Sequence, residues 1–183
     1  NITSLSYSPD SRYLCVATLY TCAVYTVDED NGISDEPLKT FNDGKDAATW
    51  SSDGKYLAIG KLSNVLITIA SEAFDDVCSI DVGLEDSHRI SCLSFSVSTN
   101  QLLIGSSDSS ISFAEEDGSG SAIWKIARNI SHTDEVNSIY HSPDPSSPYF
   151  VVLGKGEICY IYSKTNLTIV QIIQGDGPLS AAS

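Results

Sequence analysis

The chain has 183 residues, 42% of them hydrophobic, with ten basic against twenty-four acidic residues and a formal net charge of −14. With Arg12, Lys39, Lys45, Lys55, Lys61, Arg89, Lys125, Arg128, Lys155 and Lys164 scattered singly, that balance argues against a nucleic-acid or anionic-membrane surface. The longest apolar runs, such as YFVVLG at 149–154, are too short to span a bilayer, and no signal peptide or anchor is expected in this stretch.

From the first residues onward the chain alternates. ITSLSYSPD (2–10) reads as a half-buried strand closed by a Ser-Pro-Asp turn, and RYLCVAT (12–18) as a short buried strand. CAVYTV (22–27) is a third strand, and after the acidic loop DEDNGISDE (28–36) PLKTF (37–41) is a fourth. The same order then returns. KDAATWSSD (45–53), KYLAIG (55–60), VLITIA (65–70) and DVCSIDV (76–82) form a second set. ISCLSFSVS (90–98), NQLLIG (100–105), SISFAE (110–115) and AIWKI (122–126) form a third. VNSIYHSPD (136–144), YFVVLG (149–154), ICYIYS (158–163) and TIVQII (168–173) form a fourth. Ser8, Ser51, Ser96 and Ser142 mark the turns, at intervals of 43, 45 and 46 residues. A period in this range belongs to repeat architectures in which each unit is one small sheet. The expected units are 1–41, 42–82, 83–126 and 127–174, with 175–183 (GDGPLSAAS) beginning a further one.

In period and order of elements the chain resembles the WD-repeat β-propellers, whose units run from a Gly-His pair through an aromatic-Ser-Pro-Asp turn to a third strand ending in Trp-Asp. The resemblance implies an all-β fold with about four blades of four antiparallel strands, part of a larger ring of about seven. It also implies that His88 and His132 are structural, each bonded to a Ser or Thr of the second strand and an Asp in the following turn, for which Asp108 is the candidate. The sequence departs from the family at Trp-Asp, where Tyr25-Thr26, Thr68-Ile69, Ala114-Glu115 and Ile161-Tyr162 stand instead. Propellers of periplasmic and peptidase-associated proteins also use Ser-Pro-Asp-Gly turns.

No serine-nucleophile elbow, zinc-binding His-Glu-x-x-His pair or phosphate loop is present, so no catalytic residue, cofactor or metal ligand is assigned. Cys15, Cys22, Cys78, Cys92 and Cys159 lack any CxxC spacing and read as small buried hydrophobes of a reducing compartment, cytoplasmic or nuclear. Sequons at Asn1, Asn129 and Asn166 would favour secretion if glycosylated, but in a chain this rich in Ser and Thr chance is the better explanation.

The loops between third and fourth strands gather eleven of the twenty-four acids on one rim, the bottom, including Asp28, Glu29, Asp30, Asp75, Asp76, Glu115 and Glu116. They serve solubility or a partner with a basic surface. On the opposite, top face Lys45, Arg128 and Glu135 are expected, and Tyr20, Lys61, Asn64, Arg89 and Lys155 are candidate contacts, because WD-repeat propellers most often hold peptides there. The function implied is a non-catalytic scaffold, a subunit binding other proteins through its loop faces. The alternative is the propeller domain of an enzyme or GTPase regulator whose active residues lie outside this stretch.

Overall fold

The computed structural model describes residues 1–42, 47–70, 73–118, 122–156 and 158–174, without the side chains of Asp76 and Val77. Within them the chain forms seventeen strands in four antiparallel sheets and no helix. The first sheet contains β1 (Ile2–Tyr7), β2 (Tyr13–Thr18), β3 (Thr21–Asp28), β4 (Gly32–Ile33) and β5 (Lys39–Asn42). The second has β6 (Ala48–Trp50), β7 (Tyr56–Gly60), β8 (Asn64–Ile69) and β9 (Asp76–Asp81). The third has β10 (Ile90–Phe95), β11 (Leu102–Ser106), β12 (Ser110–Glu116) and β13 (Trp124–Ser131). The fourth has β14 (Val136–His141), β15 (Tyr149–Gly154), β16 (Ile158–Ser163) and β17 (Ile169–Gln174). Each is a meander of sequential strands, as the four-fold repeat predicts. The first sheet departs by one strand: part of its acidic loop folds back as β4, pairing Val27 with Ile33 around Gly32, whose φ of 76° suits glycine.

The repeated serine explains the turns. Ser8 Oγ donates to Asp10 Oδ1 at 2.6 Å and accepts from the Tyr13 amide at 2.9 Å. Ser51 does the same with Asp53 (2.5 Å) and Tyr56 (2.9 Å). Ser8, Ser51 and Ser96 are buried, so each hydroxyl needs these partners, and the carboxylate two residues on supplies one in the first two sheets. In the third sheet Ser98 stands in the place of that carboxylate, and the Ser96–Ser98 contact lengthens to 3.4 Å.

Register confirms the equivalence of the units and corrects one alignment. Tyr7, Trp50, Phe95 and His141 stand opposite Leu14, Leu57, Leu102 and Phe150, which in turn face Tyr25, Thr68, Ala114 and Tyr162. The Trp-Asp place in the fourth sheet is therefore Tyr162-Ser163, one residue beyond the expected Ile161-Tyr162. A bulge recurs immediately before this place, at Ile67/Thr68, Phe113/Ala114 and Ile161/Tyr162.

Three apolar cores lie between successive sheets. Cys15, Cys22, Val24 and Phe41 of the first pack on Trp50, Leu57, Ile59 and Phe74 of the second. Tyr56, Val65 and Ile67 pack on Ile90, Leu102, Ile104 and Trp124 of the third, whose Leu103, Ile111 and Phe113 meet Val136, Phe150, Val152 and Tyr160 of the fourth. The first strands stand side by side, stitched by Trp50 Nε1 donating to the Ser6 carbonyl (3.0 Å) and by Ser94 Oγ with His141 Nδ1 (3.0 Å). Gly105 is a close approach: a Cβ there would lie 2.5 Å from both Cys92 Sγ and Val136 Cγ1.

Candidate functional site

The top face is built from the turns between second and third strands and the connections between sheets. Tyr20, 74% exposed, tips the β2–β3 turn, while Lys61 and Asn64 close the β7–β8 turn through the Lys61 amide and Asn64 carbonyl (2.8 Å). The Leu62 carbonyl of that turn accepts from the Ile90 amide of the third sheet at 3.2 Å. Arg89 is held by two bonds to Ser107, at 3.0 Å to its hydroxyl and 2.9 Å from its amide. Lys155 pairs with Glu135 at 2.6 Å, and the Arg89 charge lies close enough to oppose its own. The structure thus brings Arg89, Lys155 and Glu135 together, while Tyr20 and the Lys61–Asn64 turn belong to the first and second sheets. Lys45 is outside the described residues.

The two histidines occupy the same connection in successive units but differ in partners. Asp108, between β11 and β12, accepts from Ser106 Oγ (2.7 Å) and the Ser110 amide (3.0 Å). Burial pushes its carboxyl up, the hydrogen bonds from Ser110 and Ser106 outweigh this, and the nearby His88 helps hold it below the ordinary carboxylate value. In the fourth sheet Gly154 takes the register place of Ser106 and offers no hydroxyl. Tyr162 supplies one instead: its Oη lies 2.6 Å from Nδ1 of the buried His132. Asp134 does not bond that imidazole; it accepts from the Gly156 amide at 2.7 Å. Burial lowers the His132 pKa, with Asp134 partly opposing.

The bottom face departs most from expectation. Asp28, Glu29, Asp30 and Asp75 are exposed, but Asp28 also builds its turn, accepting from the amides of Asp30 and Asn31 at 2.9 Å. Glu115 and Glu116 are strand residues of β12, half-buried and engaged: Gln101 Nε2 donates to Glu115, and Tyr56 Oη donates to Glu116 at 3.0 Å. Glu72 and the Asp76 side chain are outside the description. Arg128 was expected on top. β13 continues past Ile126 to Ser131, and this places Arg128 opposite Phe113, its guanidinium 6.0 Å from that ring's centre and facing the bottom.

There Arg128 helps line a cleft of about 670 Å³ between the third and fourth sheets, with Gln101, Glu115, Glu116, His141 and Lys164 among the other walls. The corresponding seam between the second and third sheets is bridged, Asn100 donating to Asp53 at 3.0 Å and Tyr56 to Glu116. Among the described residues no carboxylate lies within ion-pair distance of Arg128 or Lys164. His141 fills the place of Tyr7, Trp50 and Phe95; burial, then the Lys164 charge, pushes its pKa down to about 4, so it is neutral at pH 7. The cleft therefore presents two cations, two carboxylates held by neutral donors, and a neutral imidazole.

No protein-family model matches the chain, and no curated protein does. Solved structures do. Chaetomium thermophilum Sqt1 bound to the N-terminus of the ribosomal protein L10 superposes with a TM-score of 0.72 at 17% identity, covering 95% of this chain and 49% of that one. Sqt1 alone gives the same TM-score and coverage at 18% identity. The fold is a WD40-like β-propeller. The chain spans about half the length of these neighbours, and its four sheets are propeller blades.

One residue of consequence went unmarked in the sequence. Phe74, the lone aromatic of the acidic stretch SEAFDD, turns inward and is completely buried between the first two blades. Its ring meets Tyr13 edge-on at 5.3 Å and Trp50 at 6.0 Å, and its backbone adopts a left-handed φ of 49°. The signal available was that aromatic itself, since a purely solvating loop has no use for one. Among the described residues no cluster of His, Cys, Asp and Glu is arranged to hold a metal, and no helix is long and apolar enough to cross a membrane.

Proposed function

We propose that the chain is part of a non-catalytic WD-repeat scaffold, a subunit of an intracellular assembly, that holds a segment of another protein in the bottom cleft between its third and fourth blades. The observation that carries this reading is the contrast between seams. Where the second and third blades are bridged at the bottom by Asn100 with Asp53 and Tyr56 with Glu116, the third and fourth, joined through Ser94 and His141, leave about 670 Å³ lined by polar groups, a volume within the ordinary range for ligand sites. Walls of both signs suit a polar peptide, and Asp28, Glu29, Asp30 and Asp75 add an acidic field that steers a basic partner to this face. Sqt1, with the same fold, is seen bound to the N-terminus of a ribosomal protein, which supports a protein segment as the occupant.

The test is quantitative affinity purification of the protein from its own cells. Three forms are compared: wild type, Arg128→Ala/Lys164→Ala, and Tyr20→Ala/Lys61→Ala on top. The cleft variant should lose a stoichiometric partner that the top-face variant retains. Loss confined to the top-face variant would move the binding surface to the top. Adding Asp28→Asn, Glu29→Gln, Asp30→Asn and Asp75→Asn should slow association chiefly at low salt, because rim charges are screened over about 10 Å at 0.1 M ionic strength.

A further inference from the structure

Three of the five cysteines, Cys78, Cys92 and Cys159, are half-buried single thiols. Cys15 and Cys22 differ. They are 1% and 0% exposed, and their sulfurs lie 3.0 Å apart, closer than two sulfurs in ordinary van der Waals contact and about 1 Å beyond a disulfide bond length. The contact follows from the hairpin. With β2 paired to β3 so that Cys15 faces Val24 and Ala17 faces Cys22, the two cysteines are diagonal neighbours on the face that packs against the second blade. A diagonal is a wide span for a disulfide measured at the backbone. Here both side chains already lean across it.

We propose that Cys15 and Cys22 are a reversible oxidation site, closing to a disulfide that ties β2 to β3 within the first blade. The oxidant is a low-molecular-weight disulfide. One cysteine thiolate attacks it, forming a mixed disulfide and releasing one thiol; the second cysteine then attacks the protein-bound sulfur and releases the other. Two protein thiols are oxidised, one external disulfide is reduced to two thiols, and the two protein protons pass to the leaving thiolates. While the blade is closed the pair is protected: contact with Cys22 and burial hold the Cys15 thiol well above its ordinary pKa, so little thiolate exists. Exchange therefore proceeds when the hairpin opens or before it packs. The pair stays reduced in a reducing cytosol and closes as the disulfide oxidant accumulates.

Arg12 and Lys39 bracket both cysteines with no basic residue between them, so trypsin delivers the pair on one peptide, residues 13–39. The full protein is reduced, unfolded in urea and refolded with oxidised glutathione, then alkylated, digested and weighed; a parallel sample is oxidised without unfolding. The expected product is peptide 13–39 carrying no alkyl group and lighter by two hydrogen atoms, forming faster in the refolding sample and reverting with dithiothreitol. Its urea midpoint should rise on oxidation, a rise absent in Cys22→Ala. The proposal is overturned if, after refolding, both thiols remain alkylatable, if each holds a glutathione, or if either pairs with Cys78, Cys92 or Cys159.

Discussion

Replacing Phe74 separates two contributions that normally coincide. The ring is fully buried against Tyr13 and Trp50, and removing a buried phenylalanine to alanine costs about 3–5 kcal/mol in transfer and cavity terms. The residue also holds a φ of 49°, a conformation that costs any residue with a Cβ roughly 1–2 kcal/mol. Phe74→Ala loses the ring and keeps that strain, whereas Phe74→Gly loses the ring and releases it. The expected order is unusual: alanine destabilises by about 4 kcal/mol, and glycine by about 1 kcal/mol less than alanine. Urea unfolding followed by circular dichroism, with matched m-values, reads both differences. Two results would refute the reasoning. A Phe74→Ala cost below about 1 kcal/mol would mean that the ring does not plug the seam. Glycine falling below alanine by its customary 0.5–1 kcal/mol would mean that the backbone is not left-handed.

His132→Ala should lower stability by about 1–3 kcal/mol by stranding the Tyr162 hydroxyl, and in a double-mutant cycle with Tyr162→Phe the two losses should fail to add; additivity would show that the contact contributes nothing. The His141 imidazole is pushed down to about 4 from 6.5, so the unfolded chain takes up its proton first as pH falls. The resulting stability is complete above pH 6.5 and declines toward pH 4. His141→Phe should flatten part of that decline in urea midpoints measured across the window, the remainder following His132, whose pKa is also lowered, and, at the acid end, carboxylates held low such as Asp108. Gly105→Ala, forced 2.5 Å from Cys92 and Val136, should cost about 1–3 kcal/mol, read as a lower thermal midpoint; an unchanged midpoint would show that the third and fourth blades yield freely.

What was legible in the sequence was whatever local chemistry repeats. Ser8, Ser51 and Ser96 announce their turns because a buried hydroxyl at the end of a strand demands partners nearby, and the strand order follows from the spacing between those turns. Placement across the sheet was less legible. The fourth blade slipped by one at Tyr162 because neither Ile161 nor Tyr162 carries the Trp-Asp letters, and only pairing with Phe150 fixes the register. Arg128 was assigned to the wrong face because the third blade's outer strand was ended at Ile126; the strand in fact continues to Ser131, but the bulge opposite Phe113 and Ala114 skips Ala127, so Ile126 and Ile130 enter different cores and no simple alternation marks the strand. Glu115 and Glu116 read as loop charges for the same reason. Cys15 and Cys22, seven residues apart, become neighbours only once the hairpin register is known.

The three cores have a consequence for how the molecule comes apart. Each joins only two successive blades, so within this stretch stability is a sum of blade and nearest-neighbour terms, and the second and third blades each take part in two of these cores. In such an array blades open one at a time, each step losing the interfaces that blade makes. Amides of β7, β8, β11 and β12 should therefore exchange with solvent most slowly. Alternate residues of β7 enter different cores, Tyr56 and Ala58 one and Leu57 and Ile59 the other, so losing either neighbouring blade leaves these strands packed on one side and their amides still protected.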